Sequence, residues 1–157
     1  MKYHTHLIMG ATAGIIIASH TGQFIPLFAI IGGVAGVMPD MDIYADKAHI
    51  AAHRGAWSHS LMASILAGIL SFAPLYYLGY GMFSVYVSIT VFAAFFLHAI
   101  ADTLTYSGTY LFYPLSKWRY KGFVKYNNPV ANWLLILLCI VALMLLTPLR
   151  DYLGIGF

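Results

Sequence analysis

MFSVYVSITVFAAFFLHAIAD, residues Met82 to Asp102, is an apolar run that ends on two ionisable side chains. A helix of about 20 mainly apolar residues spans a bilayer core, so the run has the length of a transmembrane helix. His98 and Asp102 stand four residues apart in it, and in a helix that spacing puts both side chains on one face. Ionisable groups in an apolar span are costly to desolvate and are ordinarily paired, ligated or set against a wet cavity. The stretch therefore predicts both a membrane helix and a polar site at one end of it.

The chain on either side has the same character. Of its 157 residues, 61% are hydrophobic and 8% charged, against roughly 45–50% and about 25% in ordinary soluble domains. Five spans are expected, at about 6–20, 24–38, 59–78, 82–106 and 130–148. The polar turn Ser19 to Gln23, with Pro26 beyond it, separates the first two. Gly10, Gly14, Gly32 and Gly36 lie at the small-xxx-small spacing that lets membrane helices approach closely. The fold class is thus all-α, a polytopic membrane bundle of about five spans whose first two form a short hairpin, in a single domain covering residues 1–157. Residues 41–58 are polar and mixed, with room for one short helix. Lys2 and the apolar stretch behind it resemble a secretory signal without a small-residue cleavage site, so a retained first helix is expected. Cys139 has no second cysteine to pair with, which leaves a packing or lipid-contact role and excludes a disulfide framework.

Alternating spans bring distant residues to one membrane face. The start of the first span, the end of the second, the start of the third, the end of the fourth and the start of the fifth share it. Those points carry His6, Asp40 with Asp42, His59, and His98 with Asp102, while His53 and Arg54 sit in the polar segment on the same side. Lys2, Lys47, Lys117, Arg119, Lys121 and Lys125 fall there too, leaving Arg150 opposite, and the positive-inside rule makes this the cytoplasmic face. All five acidic residues are aspartates, as if placed singly rather than spread over a solvated surface.

The residue types define the chemistry available. His98 and Asp102 suit two ligands of one ion, or a hydrogen-bonded pair that ties helices together. Asp40 and Asp42, in Pro39-Asp40-Met41-Asp42, are hard oxygen donors, and carboxylates mixed with imidazoles suit zinc, manganese or iron, as one ion or as a two-metal centre. The carboxylates at the helix end could equally be solvated there. In His53-Arg54-Gly55-Ala56-Trp57-Ser58-His59-Ser60, two histidines can ligate metal and the Arg54 fork can hold a phosphate. Ser58 is placed to cap the following helix. His6 stands at the mouth of the first span, where an imidazole could complete a ligand set. His4, His20 and His49 are left outside the set, His20 being on the opposite face.

Taken together, Thr5-His6 with Gly10, Met38-Pro39-Asp40-Met41-Asp42, His53-Arg54-Gly55 followed by Ser58-His59-Ser60-Leu61, and His98-x-x-x-Asp102-x-x-Thr105 with Gly108 and Pro114 resemble the membrane-bound metal-dependent hydrolases, the YdjM-like inner-membrane proteins of prokaryotic cytoplasmic membranes. The order and spacing of the motifs carry the resemblance over residues 5–114. It implies a divalent-metal enzyme with His6, Asp40, Asp42, His53, His59, His98 and Asp102 as metal ligands. The chain departs from the H-R-G-x-T-H-S pattern by one additional residue between Gly55 and His59 and by serine in place of threonine. The H-x-x-x-D pair is also similar, by analogy, to that of zinc-dependent phospholipase C enzymes.

The reading that follows is a membrane-embedded hydrolase of a phosphoester, with Asp40 or Asp42 orienting water or accepting its proton and Arg54 neutralising the phosphoryl group. Its expected partners are the bilayer and a membrane lipid or lipid-linked phosphate substrate, with no nucleic acid. A divalent-metal transporter or sensor would use the same ligands but needs further donors toward the opposite face. A structural membrane protein would use the cluster only to fix helix packing.

Overall fold

In the computed structural model the described residues are 1–50 and 55–148, apart from the side chain of Ala45, so His53 and Arg54 lie outside them. The elements are α1 (Tyr3–Thr21), α2 (Ile25–Val37), a 3-10 turn (Met38–Met41), α3 (Asp42–Lys47), α4 (Leu61–Tyr77), α5 (Met82–Thr103) and α6 (Pro129–Leu146). Apart from the short α3, these helices occupy the five expected spans. Ile25–Tyr44, Met82–Thr103 and Pro129–Leu146 are long and apolar enough to cross a membrane, while α4 is a shorter apolar helix of 17 residues.

The burial pattern is that of a protein whose solvent is lipid. Ser64, Ser84, Thr90 and Thr5 are buried, whereas Leu70 is 72% exposed, Trp133 69% and Tyr77 91%. In water this would be inside out. In a bilayer, hydrocarbon gives large apolar side chains no reason to turn inward, and helices associate through small residues and hydrogen bonds instead. The Ser88 hydroxyl, which donates across to the Gly68 carbonyl at 2.9 Å, ties α4 to α5 in this way. Cys139 packs with Met1, Met9 and Ala101, choosing the packing role over lipid contact.

Local signals set the helix ends. Gly22, at φ 68°, closes α1 in the left-handed conformation, and Pro26 opens α2. The glycines then bring the two helices into backbone contact. A methyl group on Gly10 would run into the Gly32 carbonyl, one on Gly14 into the Phe28 carbonyl, and one on Gly36 into the His6 carbonyl. This contact seats the start of α1 against the end of α2. Ser60, and not Ser58, caps α4, its hydroxyl accepting from the Ala63 N–H at 3.1 Å. The extended backbone at Ser60 points its side chain along the helix axis, which leaves Ser58 free for another task.

Contacts at the two ends establish the alternation of the helices. His6, Asp40, His59 and Asp102 meet at one end, whereas Phe28 meets Phe83 edge to face toward the other. At that far end His20 Nε2 lies 2.5 Å from the Leu146 carbonyl, tying α1 to the last turn of α6. The segment 104–128 folds back over the near end through bridges pairing Thr105 with Val124 and Thr109 with Tyr120. Its Leu111 carbonyl accepts from the Leu61 N–H at 2.7 Å, holding the first turn of α4 in place.

Candidate metal centre

Four side chains from three parts of the chain point at one spot. Asp40 comes from the turn after α2, His59 from the residues before α4, and His98 and Asp102 from the last two turns of α5. One ligand-type atom from each lies within 4.8 Å of all the others. His59 Nε2 and His98 Nε2 are 3.0 Å apart. Asp40 Oδ1 lies 3.7 Å from the first and 3.6 Å from the second, and Asp102 Oδ2 lies at 3.8 and 4.0 Å. His59, His98 and Asp102 are at most 1% exposed, and only Asp40, with 14% of its side chain accessible, reaches the outside.

The outer nitrogens fix what the inner ones can do. His98 Nδ1 donates to the Gly36 carbonyl at 2.7 Å, so its Nε2 carries a lone pair. Ser58 Oγ donates to Asp42 Oδ2 at 2.5 Å, and its oxygen is then an acceptor for His59 Nδ1 at 2.8 Å. Asp42 Oδ2 also faces that nitrogen, at 3.3 Å. Two acceptors around Nδ1 hold the proton there and turn the Nε2 lone pair of His59 inward. Two imidazole lone pairs 3.0 Å apart, with two carboxylates beside them, repel one another until a cation or a proton enters between them. The donor set of two neutral imidazoles and two carboxylates fits a divalent ion of the zinc, manganese or iron kind. A metal-bound histidine whose other nitrogen meets a carboxylate or carbonyl is the usual supporting arrangement, and both histidines have it.

Burial favours neutral His59, but Asp40 and Asp42 more than offset this and hold its pKa above the ordinary value of 6.5. A proton taken up by His59 would relieve the repulsion between the two imidazole lone pairs.

The remaining sequence-derived candidates take distinct places. Asp42 stands behind His59, on the side away from His98, beside Nδ1. His6 is fully buried and stacks on His98 with ring centroids 3.7 Å apart. Its Nε2 faces Asp102 Oδ1 at 3.3 Å, outside hydrogen-bond geometry, and among the described residues neither ring nitrogen makes a hydrogen bond. The Met1 amino group also contacts Asp102 Oδ1. His53 and Arg54 are outside the described residues. His49 is exposed, and His20 is occupied at the far end of the bundle.

The supporting roles of two residues, Asn132 and Ser58, escaped the sequence reading, which gave Ser58 the cap of α4 that Ser60 in fact provides. Asn132, buried near the start of α6, accepts from the Thr5 hydroxyl at 2.7 Å and the Lys2 N–H at 3.0 Å, and donates to the Tyr126 and Asn128 carbonyls. It fixes the start of α1, and with it His6. A lone amide near the start of an otherwise apolar span was the available signal. Ser58, the residue holding Asp42 to His59, is the other.

These features define a polytopic helical membrane protein with a buried histidine–aspartate cluster at one end of the bundle. Residues 1–153 match the family described as YdjM inner membrane protein, and the chain belongs to that family, an inner-membrane assignment that agrees with its apolar helices. No curated protein and no solved structure matches it.

Proposed function

We propose that the protein is a metal-dependent hydrolase that cleaves a phosphoester in a lipid or other membrane-proximal substrate, with its site at the cytoplasmic face. The observation that carries the metal reading is the 3.0 Å approach of the His59 and His98 Nε2 atoms, lone pairs inward, between Asp40 and Asp102. Zinc suits this donor set, with manganese or iron as alternatives. Such an ion, when bound, supplies Lewis acidity and makes water a better nucleophile near neutral pH.

The chain's own groups have separable parts. His59, His98, Asp40 and Asp102 would hold the ion. Asp40, as the accessible member, is also the carboxylate that incoming water or substrate would meet first, which suits it to accept a proton. Asp42 and Ser58 would orient His59. Asp102 shows Oδ2 to His59 and His98, while its Oδ1 faces His6 and contacts the Met1 amino group; the buried His6 imidazole would supply a further donor for a second ion. Arg54, a planar fork suited to phosphoryl oxygens, is assigned to the substrate from the sequence alone. The lysines gathered at the site end support the cytoplasmic orientation.

The test uses the full chain in nanodiscs. Elemental analysis after gentle purification should find zinc or a related ion, and phosphate or headgroup release from phospholipids should stop with chelator and resume on adding zinc. Asp40→Asn and His98→Ala should abolish release. A zinc-loaded protein that releases nothing from a broad phospholipid panel would overturn the hydrolase reading.

A further inference from the structure

A cleft of about 1030 Å³ opens beside the metal centre, and its residues describe what fits it. Asp40 lies in its wall and is the one member of the four-residue cluster to do so. Because His59, His98 and Asp102 are buried, this cleft leads to the most accessible edge of the site. One part of the lining is polar, made by Lys2, Lys47, Tyr3 and Tyr44, all exposed. Another is apolar, made by Val37, Met41 and Ile43 at the end of α2 and on the elements after it.

We infer that this cleft seats one membrane lipid whose headgroup bears an anionic phosphate, with the phosphate between Lys2 and Lys47 and the start of its acyl chains along Val37, Met41 and Ile43. Three features argue for it. Among the described residues the charged groups of the lining are Asp40, the Met1 amino group, which is turned to Asp102, and the two lysines, so the rim attracts an anion and the floor repels one until a cation is bound. The volume slightly exceeds the 300–1,000 Å³ usual for small-ligand pockets and far exceeds what inorganic phosphate needs. Exposed tyrosines next to exposed Met41 and Ile43 are the composition of the headgroup level of a bilayer, where amphipathic rings settle. The inference deepens the proposed function by naming the substrate class and its way in. It rests on that reading only for the direction in which the scissile phosphate faces.

The experiment measures retention, which needs neither metal nor turnover. Full-length protein is released from nanodiscs containing phosphatidic acid and phosphatidylcholine and examined by native mass spectrometry for bound lipid. One phosphatidic acid per chain is expected. Changing Lys2→Gln and Lys47→Gln together should lower its retention by about 10- to 30-fold, the scale of two lysines acting at a lipid surface. Lys117→Gln with Lys125→Gln, also exposed but outside the cleft, should leave it within about twofold, since neither lysine lines the cleft and their charge is screened from a phosphate held there. Met41→Asp should weaken retention through the acyl wall, and its exposed position keeps the fold intact. Equal losses from both lysine pairs, or no loss from Lys2 and Lys47, would overturn the inference. So would displacement of the lipid by low millimolar inorganic phosphate, which would make the cleft a free-phosphate site. Lipid retention without any hydrolysis would count against the hydrolase reading alone.

Discussion

His98 Nδ1 lies 2.7 Å from the carbonyl oxygen of Gly36, so the glycine that lets α1 and α2 touch also sets the tautomer of a candidate metal ligand. Gly36→Ala would push its new methyl into the His6 carbonyl and shift the acceptor away from His98. Zinc affinity should fall about 10- to 100-fold, the usual effect of losing a supporting contact. The fold should also lose at least about 1–3 kcal/mol to overpacking. Isothermal titration with zinc and thermal melting in detergent read the two effects separately. Unchanged zinc affinity in a destabilised Gly36→Ala protein would disconnect the packing from the site.

Asp40 and Asp42 are two residues apart yet should behave differently. Asp40→Asn removes a donor and should reduce bound zinc to background. Asp42→Asn keeps acceptor capacity behind His59 but loses its charge, so affinity should drop about tenfold with stoichiometry unchanged. Metal content measured by mass spectrometry across a zinc titration distinguishes them. Matching losses would put Asp42 in contact with the ion.

Zinc bound at the cluster would compete with protons for His59. Its pKa is held above 6.5 by Asp40 and Asp42 despite burial, and metal binds only the deprotonated ring. Affinity should therefore be fully developed above that raised value and decline about tenfold per pH unit below it, as the ring takes up a proton. Asp42→Asn, by lowering the pKa, should move the decline to lower pH. Zinc titrations between about pH 5.5 and 8 check both statements, and a flat profile would remove His59 from the ligand set.

Asn132→Leu should loosen the start of α1 without touching the cluster. The substitution strands the Thr5 hydroxyl and the Lys2 N–H, which now share the Asn132 oxygen. A cost of about 1–3 kcal/mol is expected for leaving such groups unmet. Thermal melting of the metal-free protein should show it, and saturating zinc should restore part of the loss by mass action. A melting point equal to that of the unchanged protein would mean that the clamp is redundant.

Much of this arrangement was legible in the residues. Apolar runs broken at Ser19 to Gln23 and at Gly79 to Gly81 marked the helices, because hydrocarbon imposes length and composition on any span. Alternation of the spans then places His6, Asp40, His59, His98 and Asp102 at one end. What escaped depends on tertiary contact. Ser58 and Ser60 are equally good caps by local chemistry, and only the path of the chain into α4 gives the cap to Ser60 and leaves Ser58 to Asp42. Asn132 is a lone amide in an apolar helix start, and its partners, Lys2 and Thr5, lie at the other end of the sequence, so its role shows only in the fold. The direction in which each imidazole points its proton was likewise invisible, being decided by a backbone carbonyl in one case and by a serine–carboxylate pair in the other.

The far end of the bundle, where His20 is spent on the Leu146 carbonyl, gives the molecule a sidedness that reagents can read. In sealed vesicles of uniform orientation, a membrane-impermeant chelator should strip the ion from one compartment and leave it untouched from the other. An ion held in the histidine–aspartate cluster would thereby serve a single leaflet.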